Sequence, residues 1–175
     1  MKLEEIRRQL GYPQTGVQTV KSATRCWLAG MACDYPLALT LTLKQTVTEV
    51  TPVGTRRRAL TEADCQRVAQ RFQQKLNRVV FGKHAAERHG KTLRYIPVLE
   101  GRASGKRLHL HFAIGGLPQH IRFNRFDGLV REAKQQVSQL DTQHRVDITD
   151  SGWMEYISKE TGSEHSDNVL WDRAQ

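Results

Sequence analysis

The fold is decided by the stretch Arg107-Leu108-His109-Leu110-His111-Phe112-Ala113-Ile114, in which every second residue is large and apolar. This alternation is typical of a β-strand that buries one face. The large apolar side chains would face the core, and His109 and His111 would project together from the other face. Two neighbouring imidazoles can bind one divalent metal ion. A short His-x-His motif also occurs as two half-exposed histidines without a ligand.

A loop over residues 101–106 separates this strand from another predicted strand over residues 92–100, so we expect a hairpin. If Glu100 pairs with Arg107 across the loop, Glu100 lies on the histidine face, diagonal to His109. Two histidines and one glutamate would then form a three-ligand metal site with open positions for water and a phosphate. A slip of one residue in the register would turn Glu100 to the opposite face.

Residues 37–43 show a similar alternation, with leucine at every odd position, and predict a strand. Thr40 and Thr42 would lie on the face opposite the leucines. A second strand is expected over residues 46–53, followed by a basic turn over residues 54–58.

Two long helices are predicted from apolar residues that recur at helical spacing. The first begins at Thr61, which with Asp64 resembles a capping box, and ends at Gly82. The second covers residues 125–140, and a short strand over residues 146–149 follows it. Because hairpins dominate this order, we predict an α+β fold whose central antiparallel sheet has helices packed mainly on one face. The opposite face would be free to carry a site.

A last helix is predicted over residues 151–159, where Trp153, Met154 and Ile157 share an apolar side and Tyr156 and Lys159 lie on another flank. A phenol beside a lysine can act as a nucleophile, because the ammonium group favours the phenolate and offsets phosphate charge. The alternative is a surface tyrosine packed on a lysine stem.

The chain carries an excess of positive charge, with 27 Lys and Arg against 18 Asp and Glu and a net charge of +9. Such an excess is typical of nucleic-acid binding, although many basic proteins bind other anionic surfaces. Each basic side chain could also be an ordinary solvated charge. The candidates for contacts with DNA are Arg56, Arg57, Arg58, Arg102, Lys106 and Arg107, together with Thr40 and Thr42.

The expected compartment is the cytoplasm. The three cysteines show no paired metal-binding spacing, and their odd number does not favour a disulfide framework. No apolar run approaches the roughly 18 residues that cross a bilayer, and the first ten residues lack the apolar block of a secretory signal. We therefore expect no membrane partner.

Three short motifs in this order resemble those of the HUH endonuclease superfamily, specifically the single-tyrosine rolling-circle replication initiators. The motifs are Leu39-Thr40-Leu41-Thr42, His109-Leu110-His111 and Tyr156-Ile157-Ser158-Lys159. The resemblance covers residues 36–160, the expected endonuclease domain. Residues 1–35 would be an N-terminal extension of unassigned role, and residues 161–175 a polar, loose C-terminal tail.

The resemblance implies a ferredoxin-like HUH domain with a nicking activity. His109, His111 and Glu100 would bind Mg²⁺ or Mn²⁺, which polarises the scissile phosphate. Tyr156 would attack that phosphate, form a 5′-phosphotyrosine and release a 3′-hydroxyl, and the reverse reaction would rejoin strands. Lys159 would orient the phosphate or the metal-bound water, or offset charge.

The resemblance also implies partners and leaves two alternatives. The substrate would be single-stranded or hairpin origin DNA of a plasmid or phage replicon in the host cytoplasm. A separate helicase and a host polymerase would be needed, because no G-x-x-x-x-G-K-[ST] motif is present. Position 160 is Glu, so no second tyrosine follows Lys159, which favours the single-tyrosine class. The alternatives are a single-tyrosine transposase or strand transferase, and a catalytically silent module that binds origin DNA.

Overall fold

A four-stranded antiparallel sheet forms the centre of the computed structural model, which describes residues 17–101, 107–159, 168–170 and 174. The strands are β1 (Leu37–Leu43), β2 (Thr46–Thr51), β3 (Gly54–Ala59), β4 (Arg94–Glu100), β5 (His109–Gly115) and β6 (Leu140–Ile148). The α-helices are α1 (Val17–Gly30), α2 (Glu62–Phe81), α3 (Lys83–Arg88), α4 (Phe123–Gln135) and α5 (Ser151–Ile157).

The strand order in the main sheet is β4-β5-β1-β6, and each neighbouring pair is antiparallel. Strands β2 and β3 form a separate two-stranded hairpin. With α2 and α4, the four strands follow one another as β-α-β-β-α-β, which is compatible with a ferredoxin-like fold. The prediction of an α+β chain with a central antiparallel sheet is confirmed.

One face of the sheet packs against α2 and α4, as the alternation of large apolar residues predicts. The four leucines of β1 are buried on this face, beside Phe112 of β5. Phe72 of α2 meets Phe112 with ring centroids 5.5 Å apart. The start of α2 is fixed by the predicted capping box, in which the Thr61 hydroxyl accepts from the Asp64 backbone and the Asp64 carboxylate accepts from the Thr61 backbone.

The second face of the sheet is partly covered, so the prediction that it would be free was wrong at one end. Leu28 of α1 and Met154 and Ile157 of α5 form a second core on this face. The physical reason lies in β4 and β5, which carry apolar residues on both faces. Those on the second face are Ile96, Val98 and Ala113.

The N-terminal extension therefore contributes to the described fold. Helix α1 packs beside α5, and the ion pair between Arg25 and Glu155, 3.8 Å apart, joins the two helices. Sequence periodicity did not reveal α1.

The largest differences from the predicted elements lie at residues 54–58 and between α4 and β6. The basic turn over residues 54–58 is strand β3, in which Arg56 pairs across the hairpin with Glu49. Its side chains are mostly exposed, so no apolar alternation marks it as a strand. Helix α4 ends at Gln135 and β6 begins at Leu140, earlier than the predicted strand over residues 146–149.

The predicted loose tail is also corrected for the part that the structure describes. Residues 168–170 are buried and lie along β4, where Leu99 N–H donates to Asn168 O at 2.7 Å and Leu170 N–H donates to Pro97 O at 2.9 Å. The remaining tail residues, apart from residue 174, and residues 1–16 lie outside the described residues. No helix within the described ranges is long and apolar enough to cross a membrane.

Candidate active site

The hairpin of β4 and β5 places Glu100 on the histidine face, although in a different register from the one predicted. Glu100 pairs directly with His109, not with Arg107. The register differs by two residues, and because side chains alternate with a period of two, the same face is kept. Glu100 is therefore the diagonal neighbour of His111, and their side chains meet.

A chain of contacts runs across this face from Thr40 to Lys159. The Thr40 hydroxyl lies 3.0 Å from Nδ1 of His111. His111 Nε2 lies 2.5 Å from Oε2 of Glu100, and the other Glu100 oxygen lies 2.5 Å from Lys159 Nζ. A neutral His111 donates its Nε2 proton to Glu100 and accepts from Thr40 at Nδ1. His111 is buried, so its ring is held in one orientation from both sides.

The electrostatics of this chain favour its charged groups. The hydrogen bond from His111, together with the one from Lys159, lowers the pKa of Glu100 to about 2 against the opposing effect of burial. Burial acts to lower the pKa of Lys159, but hydrogen bonds to Glu100 and Tyr156 raise it above its usual value. Glu100 is thus a carboxylate and Lys159 an ammonium at neutral pH.

Helix α5 presents Tyr156 to this chain of contacts. The Asp150 side chain caps the helix by accepting from the Trp153 backbone, and Met154 and Ile157 are buried beneath it. Tyr156 lies outside that buried side, 44% exposed, as its position on the predicted helix indicated.

The Tyr156 ring is surrounded by three side chains of the site. It meets the His111 ring edge to face, with centroids 5.5 Å apart. It stacks on Trp153 at 5.6 Å with an interplanar angle of 23°. Lys159 Nζ lies 3.8 Å from the Tyr156 ring centroid. An exposed phenol is therefore held between an imidazole and an ammonium group.

The donor types on this face suit a divalent metal ion, but the described residues do not form a finished metal site. The rings of His109 and His111 lie nearly parallel, with centroids 6.5 Å apart. Thr40 contacts Nδ1 of His111, so Nε2 faces Glu100. This suits a metal-binding histidine, which uses one ring nitrogen as the ligand and the other for a supporting hydrogen bond. Within the described ranges no group of three His, Cys, Asp or Glu side chains is arranged to hold an ion. Lys159 contacts one oxygen of Glu100.

Two clefts flank Thr40 on this face. The first cleft, of about 630 Å³, lies between the end of β6 and α5 and is lined by Thr40, His111, Arg145, Asp147, Ile148, Asp150, Gly152, Trp153 and Tyr156. The second cleft, of about 560 Å³, is lined by Thr40, Thr42, His109, Arg131, Thr142, Gln143, His144 and Arg145. Thr40 and Arg145 belong to both clefts.

The residues proposed to contact DNA are distributed over two regions. Thr40 and Thr42 lie on the histidine face, where Thr42 pairs with His109. Arg56 bonds to Glu49 at 2.8 Å. The other described candidates also have protein partners: Arg58 bonds to Asp64, Arg57 to Thr46 and Arg107 to Asp141.

The predicted role of these arginines in DNA binding stays a prediction. In the structure the guanidinium group of each one bonds to another residue of the protein. Arg57 and Arg107 together line another cleft, of about 860 Å³, at the β2–β3 hairpin. Arg102 and Lys106 lie outside the described residues.

Sequence reasoning missed the residues of β6 and one aromatic side chain. Arg145, Asp147 and Ile148 line the first cleft. The sequence of β6 alternates, but only its pairing with β1 places Arg145 beside Thr40. Trp153 was assigned only to the apolar side of α5, yet its ring contacts both His111 and Tyr156. Trp153 precedes Tyr156 by three residues, and this helical spacing could have predicted that the two rings lie side by side.

Comparison of this chain with protein-family models, with curated proteins and with solved structures finds no match.

Proposed function

We propose that this chain is a metal-dependent, single-tyrosine endonuclease of the HUH type, which nicks single-stranded DNA and remains covalently attached to one end. The observation that carries the proposal is the exposed Tyr156 phenol packed against His111, with Lys159 over its ring and Glu100 between Lys159 and His111. Nucleophile, charge-stabilising ammonium and paired histidine-carboxylate donors thus lie on one surface.

In this reaction the Tyr156 oxygen attacks a phosphodiester. The phenol loses its proton, a new bond forms between the Tyr156 oxygen and phosphorus, and the bond from phosphorus to the 3′ oxygen breaks. The departing 3′ oxygen takes up a proton and becomes a free hydroxyl, and the 5′ end stays on Tyr156. Lys159 favours the phenolate and offsets the negative charge that develops on the phosphate. The reverse attack by a 3′-hydroxyl rejoins the strand.

A divalent ion, Mg²⁺ or Mn²⁺, would be held by His109, His111 and Glu100 and would supply Lewis-acid polarisation of the phosphate. Thr40 has a supporting role in this arrangement. Its hydroxyl can accept from Nδ1–H when Nε2 of His111 is a ligand, and can donate to Nδ1 when Nε2 carries the proton.

The proposed biological role is initiation of rolling-circle replication. The fold would be the ferredoxin-like HUH domain, and the compatible order of strands and helices supports this. The substrate would be single-stranded or hairpin origin DNA. A separate helicase would unwind the duplex, and a host polymerase would extend the released 3′-hydroxyl. A strand transferase with the same nucleophile shares the chemistry and differs in its DNA ends.

The test is a denaturing gel with a labelled pool of random single-stranded DNA and Mn²⁺. Wild type should give a covalent protein–DNA band that resists denaturant, and Tyr156→Phe should give none. Tyr35→Phe is the matched control, because Tyr35 is a buried tyrosine and burial raises the pKa of its phenol. This control should keep the band.

Two results would contradict the proposal. A covalent band that persists in Tyr156→Phe would place the nucleophile elsewhere. If wild type gives no band on any sequence of the pool, the nicking activity is refuted and the silent DNA-binding module becomes the better explanation.

A further inference from the structure

The first cleft opens directly beside the candidate nucleophile. Its floor contains Thr40 and His111, and Tyr156 and Trp153 form the wall on the α5 side. Ile148, at the end of β6, is 66% exposed although it is large and apolar. A volume of about 630 Å³ is in the range of sites that hold small organic groups. The cleft therefore offers an aromatic and apolar surface within contact distance of the reacting phenol.

Two carboxylates on the lining of the first cleft disfavour a phosphate next to them and admit an uncharged group there. Asp147 and Asp150 both line this cleft, and their carboxylates repel a phosphodiester. Both keep acceptor capacity, because a carboxylate can accept more hydrogen bonds than the contacts with Arg145 and the Trp153 backbone use. A flat aromatic group with amino donors suits these walls, and that is the chemistry of a nucleobase.

The second cleft differs from the first in that no carboxylate is among its described lining residues. The described side chains that line it include Arg131 and Arg145, with His109 at the candidate centre, and contain no Asp or Glu. Arg131 is paired with Asp127 and Arg145 with Asp147, so part of this positive charge is offset. The guanidinium groups still offer hydrogen-bond donors to a phosphate backbone. Arg145 lines both clefts and its side chain is 78% exposed, so it stands where a strand would pass from one cleft to the other.

We infer that the first cleft binds one unpaired nucleobase of the DNA strand, stacked beside Trp153, and that the neighbouring phosphates pass Arg145 into the second cleft. This inference rests on the proposed function, since it assigns the substrate contacts of the same site. The base fixes the position of its own phosphate beside Tyr156, so the cleft determines which phosphodiester is attacked.

Gly152 allows the cleft to be filled without disturbing the core. It lies in α5 on the cleft wall, and a Cβ added there would meet only Asp150 Oδ1, at 3.4 Å. Gly152→Phe therefore places a ring in the space that the base would occupy. Gly128→Phe is the matched control, because Gly128 lies in α4 with nothing within 4 Å of an added Cβ.

The experiment measures binding by fluorescence anisotropy, with EDTA present so that no cleavage occurs. The probes are a labelled mixed-sequence single-stranded oligonucleotide and an abasic deoxyribose-phosphate oligomer of the same length. Gly152→Phe should weaken binding of the base-bearing probe about 5- to 100-fold and leave binding of the abasic probe unchanged. Gly128→Phe should bind both probes as wild type does.

Ile148→Gln is a second variant, in case Gly152→Phe lacks the native circular dichroism spectrum. Because Ile148 is exposed, its replacement should leave the fold intact while removing apolar contact with the base. Binding of the base-bearing probe should fall about three- to ten-fold. Val50→Gln is the control, since Val50 is also an exposed strand residue, at 81%, and lines neither cleft.

The inference is overturned if folded variants bind the base-bearing probe like wild type, or if both probes lose affinity equally. The covalent-band assay separates this outcome from failure of the proposed function. If wild type forms the covalent band but the variants bind the base-bearing probe like wild type, only the base-binding cleft is refuted. If the variants lose affinity for the base-bearing probe alone and wild type forms no covalent band, only the nicking activity is refuted.

Discussion

The two faces of the same four strands differ in what their polar residues do. On the face covered by α2 and α4, the strands contribute a continuous apolar surface that includes the leucines of β1 and Phe112. On the other face an apolar patch under α1 and α5 gives way to Thr40, His111 and Glu100, which bond to one another in a chain. The comparison teaches that one face is given over to packing, whereas the other combines packing with a connected set of polar side chains.

The largest effect should follow from removing a ring on the core face. Phe112→Ala should lower the free energy of unfolding by about 3–5 kcal/mol, because Phe112 is fully buried and its loss leaves a cavity beside Phe72. Urea unfolding followed by circular dichroism measures this. Val53→Ala, at a residue 98% exposed, should change the value by less than about 0.5 kcal/mol. Equal losses in the two variants would show that Phe112 is not part of the core.

The site face should show the reverse pattern, a large loss of activity with a small loss of stability. Lys159→Met should slow formation of the covalent band by about 10²- to 10³-fold, since it removes the charge that offsets phosphate and phenolate. Its side chain is partly exposed, so unfolding should change by only about 1 kcal/mol.

Lys91→Met is the control for Lys159→Met, because Lys91 is an exposed lysine. It should react at the wild-type rate in a single-turnover time course. A Lys159→Met protein that reacts as fast as Lys91→Met would reduce Lys159 to a surface lysine packed on a tyrosine.

The core face could be predicted from the sequence because alternation and helical spacing report burial directly. The spacing of the apolar side chains that are buried predicts the strand over residues 37–43, the strand at His109 and the helix that begins after Thr61. The placement of Tyr156 outside the apolar side of α5 follows in the same way. The periodicity of apolar residues was sufficient to predict each helix or strand that has one apolar side.

The rest could not be predicted because it depends on pairings between distant segments. The register that sets Glu100 opposite His109 differs from the expected one by two residues, and nothing in the alternation distinguishes these registers. Arg145 joins the site only because β6 pairs with β1 at Thr40. Strand β6 carries Asp141, Gln143, Arg145 and Asp147 at every second position, but this alternation does not reveal which strand β6 pairs with or in which register.

A third prediction concerns Asp64, a buried carboxylate, and contrasts it with the partly buried Glu100. Glu100 contacts the site, whereas Asp64 is bonded by Arg58, Thr61 and Arg67 at the start of α2. Asp64→Asn should lower the free energy of unfolding by about 1–2 kcal/mol, because the capping box and its ion pairs are weakened. The rate of covalent-band formation should stay at the wild-type value. A loss of activity with unchanged stability would assign Asp64 to the site.

The pH dependence of this difference has a definite sign. The hydrogen bond from Arg58, with those from Thr61 and Arg67, holds the pKa of Asp64 well below its ordinary value of 3.8. A carboxyl whose pKa is lowered on folding stabilises the protein above its unfolded pKa and loses that effect as the pH falls toward the folded pKa. The difference between wild type and Asp64→Asn should therefore be constant at neutral pH and shrink below about pH 4 in urea titrations. A difference that grows on acidification would contradict the assignment.

The smallest expected effect is a change in the salt dependence of DNA binding, which should differ between variants of the two clefts. Arg145→Gln removes one cation from the path between the clefts, so binding of the abasic probe should weaken and its dependence on log salt should become shallower by about one unit. Arg125→Gln is the control, since Arg125 is exposed on α4 and lines neither cleft. Gly152→Phe should keep the wild-type slope, because a filled base cleft removes no phosphate contact. An unchanged slope in Arg145→Gln would mean that the strand takes another path across the sheet, and the division of base and phosphate between the clefts would fail there.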